Sequence, residues 1–182
     1  MKLLRVLSLM ACFSLVGCAT ANLTSSSVPG DGKVPKPTAI YYTDADVSGG
    51  TWHLAADQVD KFKGEVKDWF AELLPERLSE IAPAKPYTGS ETTGWLIKPT
   101  VDHFDSGSAA MRILGAGMGQ SKIVMTFTIT DLSNPSAAPM TFKTEADDGW
   151  YNEYVTEFTG PKKDIWRTCR QLVGKLKDVI AG

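Results

Sequence analysis

Two hydrophobic periods occur in this chain, and the switch between them limits what it can fold into. In residues 121–132, SKIVMTFTITDL, side chains alternate. Ile123, Met125, Phe127 and Ile129 fall on one face, and Val124, Thr126, Thr128 and Thr130 on the other. A period of two marks a half-buried strand. Across residues 54–81 the period changes. Val59, Phe62, Val66, Trp69, Phe70, Leu73, Leu74, Leu78 and Ile81 recur at threes and fours, while Asp57, Asp60, Lys61, Lys63, Glu65, Lys67 and Asp68 fill the opposite side. That is a helix with one wide apolar face, in which Pro75 predicts a kink or a restart. Elements that are apolar on one face must bury that face against each other.

The other segments supply partners. Residues 39–43, AIYYT, form a short aromatic and branched run, expected as the first strand; 44–53, DADVSGGTWH, read as loop, as do 83–94. Residues 94–104, GWLIKPTVDHF, alternate loosely, and Pro99 in their middle argues for an edge strand or a bulge. Residues 107–114 continue as extended chain. Residues 140–146, MTFKTEA, alternate again, and the turn SNPSAAP makes a hairpin with 121–132. Residues 147–158, DDGWYNEYVTEF, are acidic and aromatic and receive no element. After Gly160-Pro161, Ile165, Trp166, Cys169, Leu172, Val173, Leu176, Val179 and Ile180 sit at helical spacing. Lys175 and Lys177 suit the C-terminal turns of that helix electrostatically. The order predicts an α/β chain of α+β type. It would be a two-layer sandwich with a mostly antiparallel sheet of about four or five strands packed on two amphipathic helices.

The N-terminus is of another kind. Lys2 and Arg5 precede an almost wholly apolar run from Val6 to Val16, broken only by Ser8 and Ser14. A run of about eleven residues is too short to cross a ~30 Å hydrocarbon core and suits the apolar region of an export signal. It closes on Leu15-Val16-Gly17-Cys18, which resembles the lipobox of bacterial lipoproteins. The resemblance implies that residues 1–17 are removed, that the Cys18 thiol takes a diacylglyceryl group, and that its new amine is acylated. Several acyl chains hold a protein stably on a bilayer where one would not. Ala19 follows the cysteine, and the absence of Asp there implies the periplasmic face of the outer membrane. Residues 18–38 are small, polar and rich in Ser, Pro and Gly, so a flexible tether reaching about 25 Å is expected, followed by a single α/β domain over 39–182.

Loss of Lys2 and Arg5 with the leader leaves 17 basic against 21 acidic side chains, a net charge of −4. A mildly acidic chain gives no electrostatic case for nucleic acid. Of the cysteines, Cys12 leaves with the leader and Cys18 carries lipid, so Cys169 is left without a disulfide partner and reads as a small buried hydrophobe.

Candidate chemistry is sparse. The loop LGAGMGQS, with Gly115, Gly117 and Gly119, lies between strands, lacks a Gly-Lys-Ser/Thr ending, and reads as a glycine-bent connection that a ligand or partner backbone can approach. In DHFD, His103 and Asp105 share a strand face that Asp102 does not, and His53 is the other histidine, so no metal is expected. Trp150, Tyr151 and Tyr154 stand beside acids, either as a loop packing over the core or as an interaction surface. No Gly-x-Ser-x-Gly elbow and no Ser/His/Asp set is present in the sequence.

Taken together, the strand after Lys36-Pro37, the long helix, the stretch IKPTVDHFDSGSAAMRILGAGMGQSKIVMTFTITDL and the closing helix resemble the bacterial lipoproteins of domain-of-unknown-function family 4410. The family pattern of a glycine turn, an arginine, a Gly-x-Gly-x-Gly loop and a strand ending in Asp falls on Gly107, Arg112, Gly115, Gly117, Gly119 and Asp131. Tyr42-Thr43-Asp44 stands where an Asp-Phe pair is common in that family. The resemblance implies an envelope lipoprotein without a specified activity. The expectation is a non-catalytic protein-interaction module without a cofactor. Its partners would be the membrane, through lipid on Cys18, and another envelope protein or a second copy. The alternative is a small-ligand-binding lipoprotein that uses the 115–119 loop together with Arg112.

Overall fold

The structure, a computed structural model, describes residues 21–30, 32–107, 121–147 and 160–181. In chain order these form β1 (Ala21–Ser27), β2 (Ile40–Tyr42), β3 (Thr51–His53), α1 (Val59–Leu78), β4 (Ala84–Pro86), β5 (Trp95–Asp105), β6 (Lys122–Asp131), β7 (Met140–Asp147) and α2 (Pro161–Val179). Among the described residues the fold is α+β, with two helices on one sheet.

Among the described residues the sheet has seven strands in the order β1-β7-β6-β5-β2-β4, with β3 also paired to β5. Pairings β1–β7, β6–β7 and β5–β6 are antiparallel, whereas β2–β4, β2–β5 and β3–β5 are parallel. The expected mostly antiparallel sheet of fewer strands is therefore corrected to a mixed one. A parallel pair needs a long crossover, and α1, lying between β2 and β5, supplies it. The extra strands β3 and β4 are only three residues each, too short to show a period.

The stretch read as a tether is also corrected in part. Residues 21–27 pair with β7 from Ala21↔Ala146 to Ser27↔Thr141, with a bulge at Thr24. Further on, Val34 N donates to Val179 O at 2.9 Å, Ala181 N donates to Val34 O at 2.9 Å, and Lys33 Nζ donates to Asp178 O at 2.8 Å. A serine-rich segment has little to bury, but an edge strand needs only its backbone bonds. Leu23, Val28 and Val34 add partial packing against the core.

The predicted alternation in β6 holds from Met125 to Ile129, while Val124 on the opposite face is buried as well. Ile123, Met125, Phe127 and Ile129 are buried, and so are Ile97, Val101 and Phe104 of β5 and Phe142 and Ala146 of β7. Facing them are Val66, Phe70, Leu73, Leu74 and Leu78 of α1 and Ile165, Cys169, Leu172, Val173 and Leu176 of α2. Phe70 meets Phe127 edge-on with ring centroids 6.4 Å apart. Each such side chain contributes about 1.5–3 kcal/mol on burial.

Neither Pro75 nor Pro99 ends the element it lies in. α1 runs through Pro75 to Leu78, and Ser79 N donates to Pro75 O at 3.0 Å. Pro75 lies close to the helix end, so its cost is local. Pro99 lies in an interior strand. Thr43 N donates to Ile97 O, Asp46 N to Pro99 O and Val101 N to Asp46 O. The backbone polar groups of odd-numbered residues thus face the β2 side. The missing N–H of Pro99 falls in the gap between the end of β2 and the single bridge at Asp46↔Thr100. The bulge in β5 comes later, between Val101 and His103.

Candidate functional site

α1 and α2 both pack on one face of the sheet, and among the described residues no helix lies on the other. That open face gathers polar side chains from β3, β5, β6 and β7. β3 runs parallel to β5 in the register Thr51↔His103 and His53↔Asp105. The rings of His53 and His103 meet edge to face with centroids 4.7 Å apart. His53 Nδ1 lies 3.8 Å from Asp105 Oδ2. The bulge at Asp102 turns this side chain to the same face, as bulges do. Thr126 Oγ1 donates to Asp102 Oδ2 at 2.7 Å, and Lys143 Nζ lies 3.2 Å from the same oxygen. Lys122 Nζ pairs with Glu145 Oε1 at 2.6 Å.

These are cross-strand pairs of opposite sign on a solvent-facing surface. Each contributes at most about 1 kcal/mol to stability, because water screens it and the side chains lose freedom. Their arrangement matters more than their energy: a mosaic of fixed opposite charges selects partner surfaces by complementarity. His103 is held below its ordinary value of 6.5 by burial first and then by His53 and Lys122, against the opposing pull of Asp105 and Glu145. Its ring is mainly neutral at pH 7. Among the described residues no three His, Cys, Asp or Glu side chains are placed to hold a metal ion.

A second polar group is buried. Asp164 and Lys163, in the first turn of α2, are almost fully enclosed. Ser121 Oγ donates to Asp164 Oδ2 at 2.5 Å, and Arg167 Nη1 donates to Asp164 Oδ1 at 3.1 Å and to Asp147 O at 2.6 Å. This network ties together the start of β6, the end of β7 and the start of α2.

The residues singled out from sequence, Cys18, Arg112, Gly115, Gly117, Gly119, Trp150, Tyr151 and Tyr154, lie outside the described residues. Gly107 closes β5 in a turn, where its N–H donates to Asp105 Oδ1 at 2.8 Å. Asp131 ends β6 and accepts from Ser133 N at 2.8 Å. Cys169 is a free thiol at full burial, which pushes it up to about 12 and leaves it inert. The reading of DHFD changes in two respects. The bulge brings Asp102 to the face of His103 and Asp105, and β3 brings in His53. Neither was visible in sequence, since Thr51-Trp52-His53 follows a Ser-Gly-Gly turn and has no periodic signal of its own. No helix among the described residues is long and apolar enough to cross a membrane.

No protein-family model matches the sequence, and no curated protein matches it. Solved structures of PelC from Paraburkholderia phytofirmans are similar in fold. A PelC dodecamer superposes with a TM-score of 0.52 at 10% identity, over 86% of this chain and 97% of that one. The dodecamer of a single-substitution PelC variant gives 0.55 at 9% identity with the same coverage. At such identity the likeness shows the fold alone: nearly the whole PelC chain shares the α+β arrangement seen here.

Proposed function

We propose that this chain is a lipid-anchored bacterial envelope protein that acts as a non-catalytic interaction module, on the pattern of the family 4410 lipoproteins. Acylated Cys18 holds it on the periplasmic face of the outer membrane, where it associates with copies of itself or with another envelope protein. The observation that carries the interaction half is the open sheet face with its fixed mosaic of Asp102, Lys143, Lys122, Glu145 and the two histidines. The PelC structures of the same fold are dodecamers, which supports association between copies. The anchor rests on Lys2, Arg5, the apolar run and Leu15-Val16-Gly17-Cys18.

The test is purification of the lipidated protein from its own envelope after mild cross-linking, with mass spectrometry of cross-linked chains and of the N-terminal peptide. The expected result is an acylated Cys18 together with a reproducible cross-link to a second copy or to one envelope protein. An unmodified N-terminus overturns the anchor. An acylated but solitary chain overturns the interaction module and favours a small ligand at the 115–119 loop.

A further inference from the structure

We infer that the domain stands directly on the bilayer, on the end of the sheet where β1 begins, with its strands upright, rather than swinging from a long tether. The inference rests on the acylation of Cys18 proposed above. Only Ala19 and Thr20 separate that cysteine from Ala21, the first residue paired in β1. Three Cα–Cα steps of about 3.8 Å span no more than about 11 Å. The glyceryl thioether of an acylated cysteine sits at headgroup level, and each headgroup layer is itself about 5–8 Å thick. Ala21–Ser27 are held by pairing with β7, and Lys33 and Val34 by bonds to the end of α2. The twenty-residue reach expected from composition therefore shrinks to the two residues before β1.

The register identifies the described residues at that end of the sheet. Ala21 pairs with Ala146, Ala146 with Ile123, Ile123 with Phe104, and Phe104 with Trp52. One step beyond this row lie Asp147, Lys122, Asp105 and His53, paired in that order. Its charged members, Asp147, Lys122 and Asp105, are of both signs, which suits a surface of phosphates and amines. The first turn of α1 lies at the same end, since Phe62 packs on Phe104 at 5.7 Å. The other way to seat the domain would lay the free edge of β1 on the lipid. That would desolvate a row of backbone N–H and C=O groups that have no strand partner among the described residues, which lipid cannot satisfy. Charged side chains at the rim carry no such penalty among headgroups. With the rim down, the open face of the sheet looks sideways, along the membrane plane, towards neighbours anchored in the same leaflet.

The test uses the full, acylated chain in vesicles of phosphatidylethanolamine and phosphatidylglycerol that carry an acceptor-labelled lipid. A donor dye is placed by Lys61→Cys, in the exposed first turn of α1, or by Ser136→Cys, in the exposed turn between β6 and β7. Cys169 is buried and does not compete for label. β6 rises nine steps between Lys122 and Asp131, about 30 Å, so energy transfer to the membrane should be at least about twofold higher from position 61. Insertion of about twelve Gly/Ser residues between Thr20 and Ala21 should erase the difference. Equal transfer from both positions, or an asymmetry indifferent to the insertion, overturns the inference while an acylated N-terminal peptide leaves the anchor standing. An unmodified Cys18 in the same preparation overturns both.

Discussion

The hydroxyl of Ser121 donates to a carboxylate oxygen of Asp164, joining the residue before β6 to the first turn of α2. Asp164 is fully buried, and it is tolerated there because Arg167, with 11% of its side chain exposed, donates to its other oxygen. Removing one member of a buried charged pair leaves the other uncompensated. Asp164→Ala should therefore lower stability by about 3 kcal/mol, whereas Ser121→Ala removes one hydrogen bond and should cost about 1 kcal/mol. Denaturant midpoints at an unchanged slope would check both values. Equal costs for the two variants would mean that Asp164 is solvated in solution.

Thr144 presents the opposite case. It is fully buried on β7, and its Oγ1 has no hydrogen-bond partner among the described residues. An enclosed hydroxyl without a partner costs about 1–3 kcal/mol. Thr144→Val has nearly the same shape and removes that penalty. It should raise the denaturation midpoint by an amount equivalent to about 1 kcal/mol, and a loss of stability would show that the hydroxyl is bonded after all.

Gly50 and Gly94 hold close approaches between strands. Both have positive φ, +76° and +91°. A Cβ on Gly50 would lie 2.4 Å from Val101 O, and one on Gly94 would lie 2.5 Å from Ala39 O. In each case the obstacle is backbone of the sheet and cannot rotate away. Gly94→Ala and Gly50→Ala should each cost more than about 2 kcal/mol. Gly64→Ala is the control, because space there is open within helix α1. It should be neutral or stabilising by up to about 1 kcal/mol. Thermal melts of the three variants would separate the two classes.

The contrast between Gly64 and Gly94 also shows how far this sequence can be read. Long elements with a strong period, such as β6, β7, α1 and α2, were legible because burial imposes a pattern on many residues at once. The mixed sheet was not. Whether β2 lies parallel to β5 depends on the crossover through α1, and β3 and β4 are too short to repeat anything. β1 was misread for a related reason. Its serines bury nothing, and its place in the sheet is set by backbone bonds to β7 that leave no mark on side-chain choice. The open-face cluster inherits both problems. His103 and Asp105 could be put on one face by alternation, but Asp102 joins them through a bulge and His53 through a three-residue strand. Both are features of pairing rather than of local sequence.

That cluster makes a prediction about pH. His103 is faced by His53 from β3, Asp105 from its own strand, Lys122 from β6 and Glu145 from β7. Burial, His53 and Lys122 together hold its ring below 6.5, so the unfolded chain takes up the proton first as pH falls. The contribution of His103 to stability is thus complete above about pH 6.5 and is lost as pH drops through the lower folded value. Carboxylates act in a separate window. Glu80 is held below 4.5 by its hydrogen bonds with Lys177 and Arg77, and its share disappears only on further acidification. The two can be told apart with His103→Asn, which should flatten the slope of urea midpoint against pH just below 6.5 and leave the acid limb unchanged. Lys122→Met removes one of the groups that disfavour the charged ring, so it should move the His103 proton resonances to a higher titration midpoint. A midpoint that does not move would show that Lys122 has no part in setting the ring's protonation.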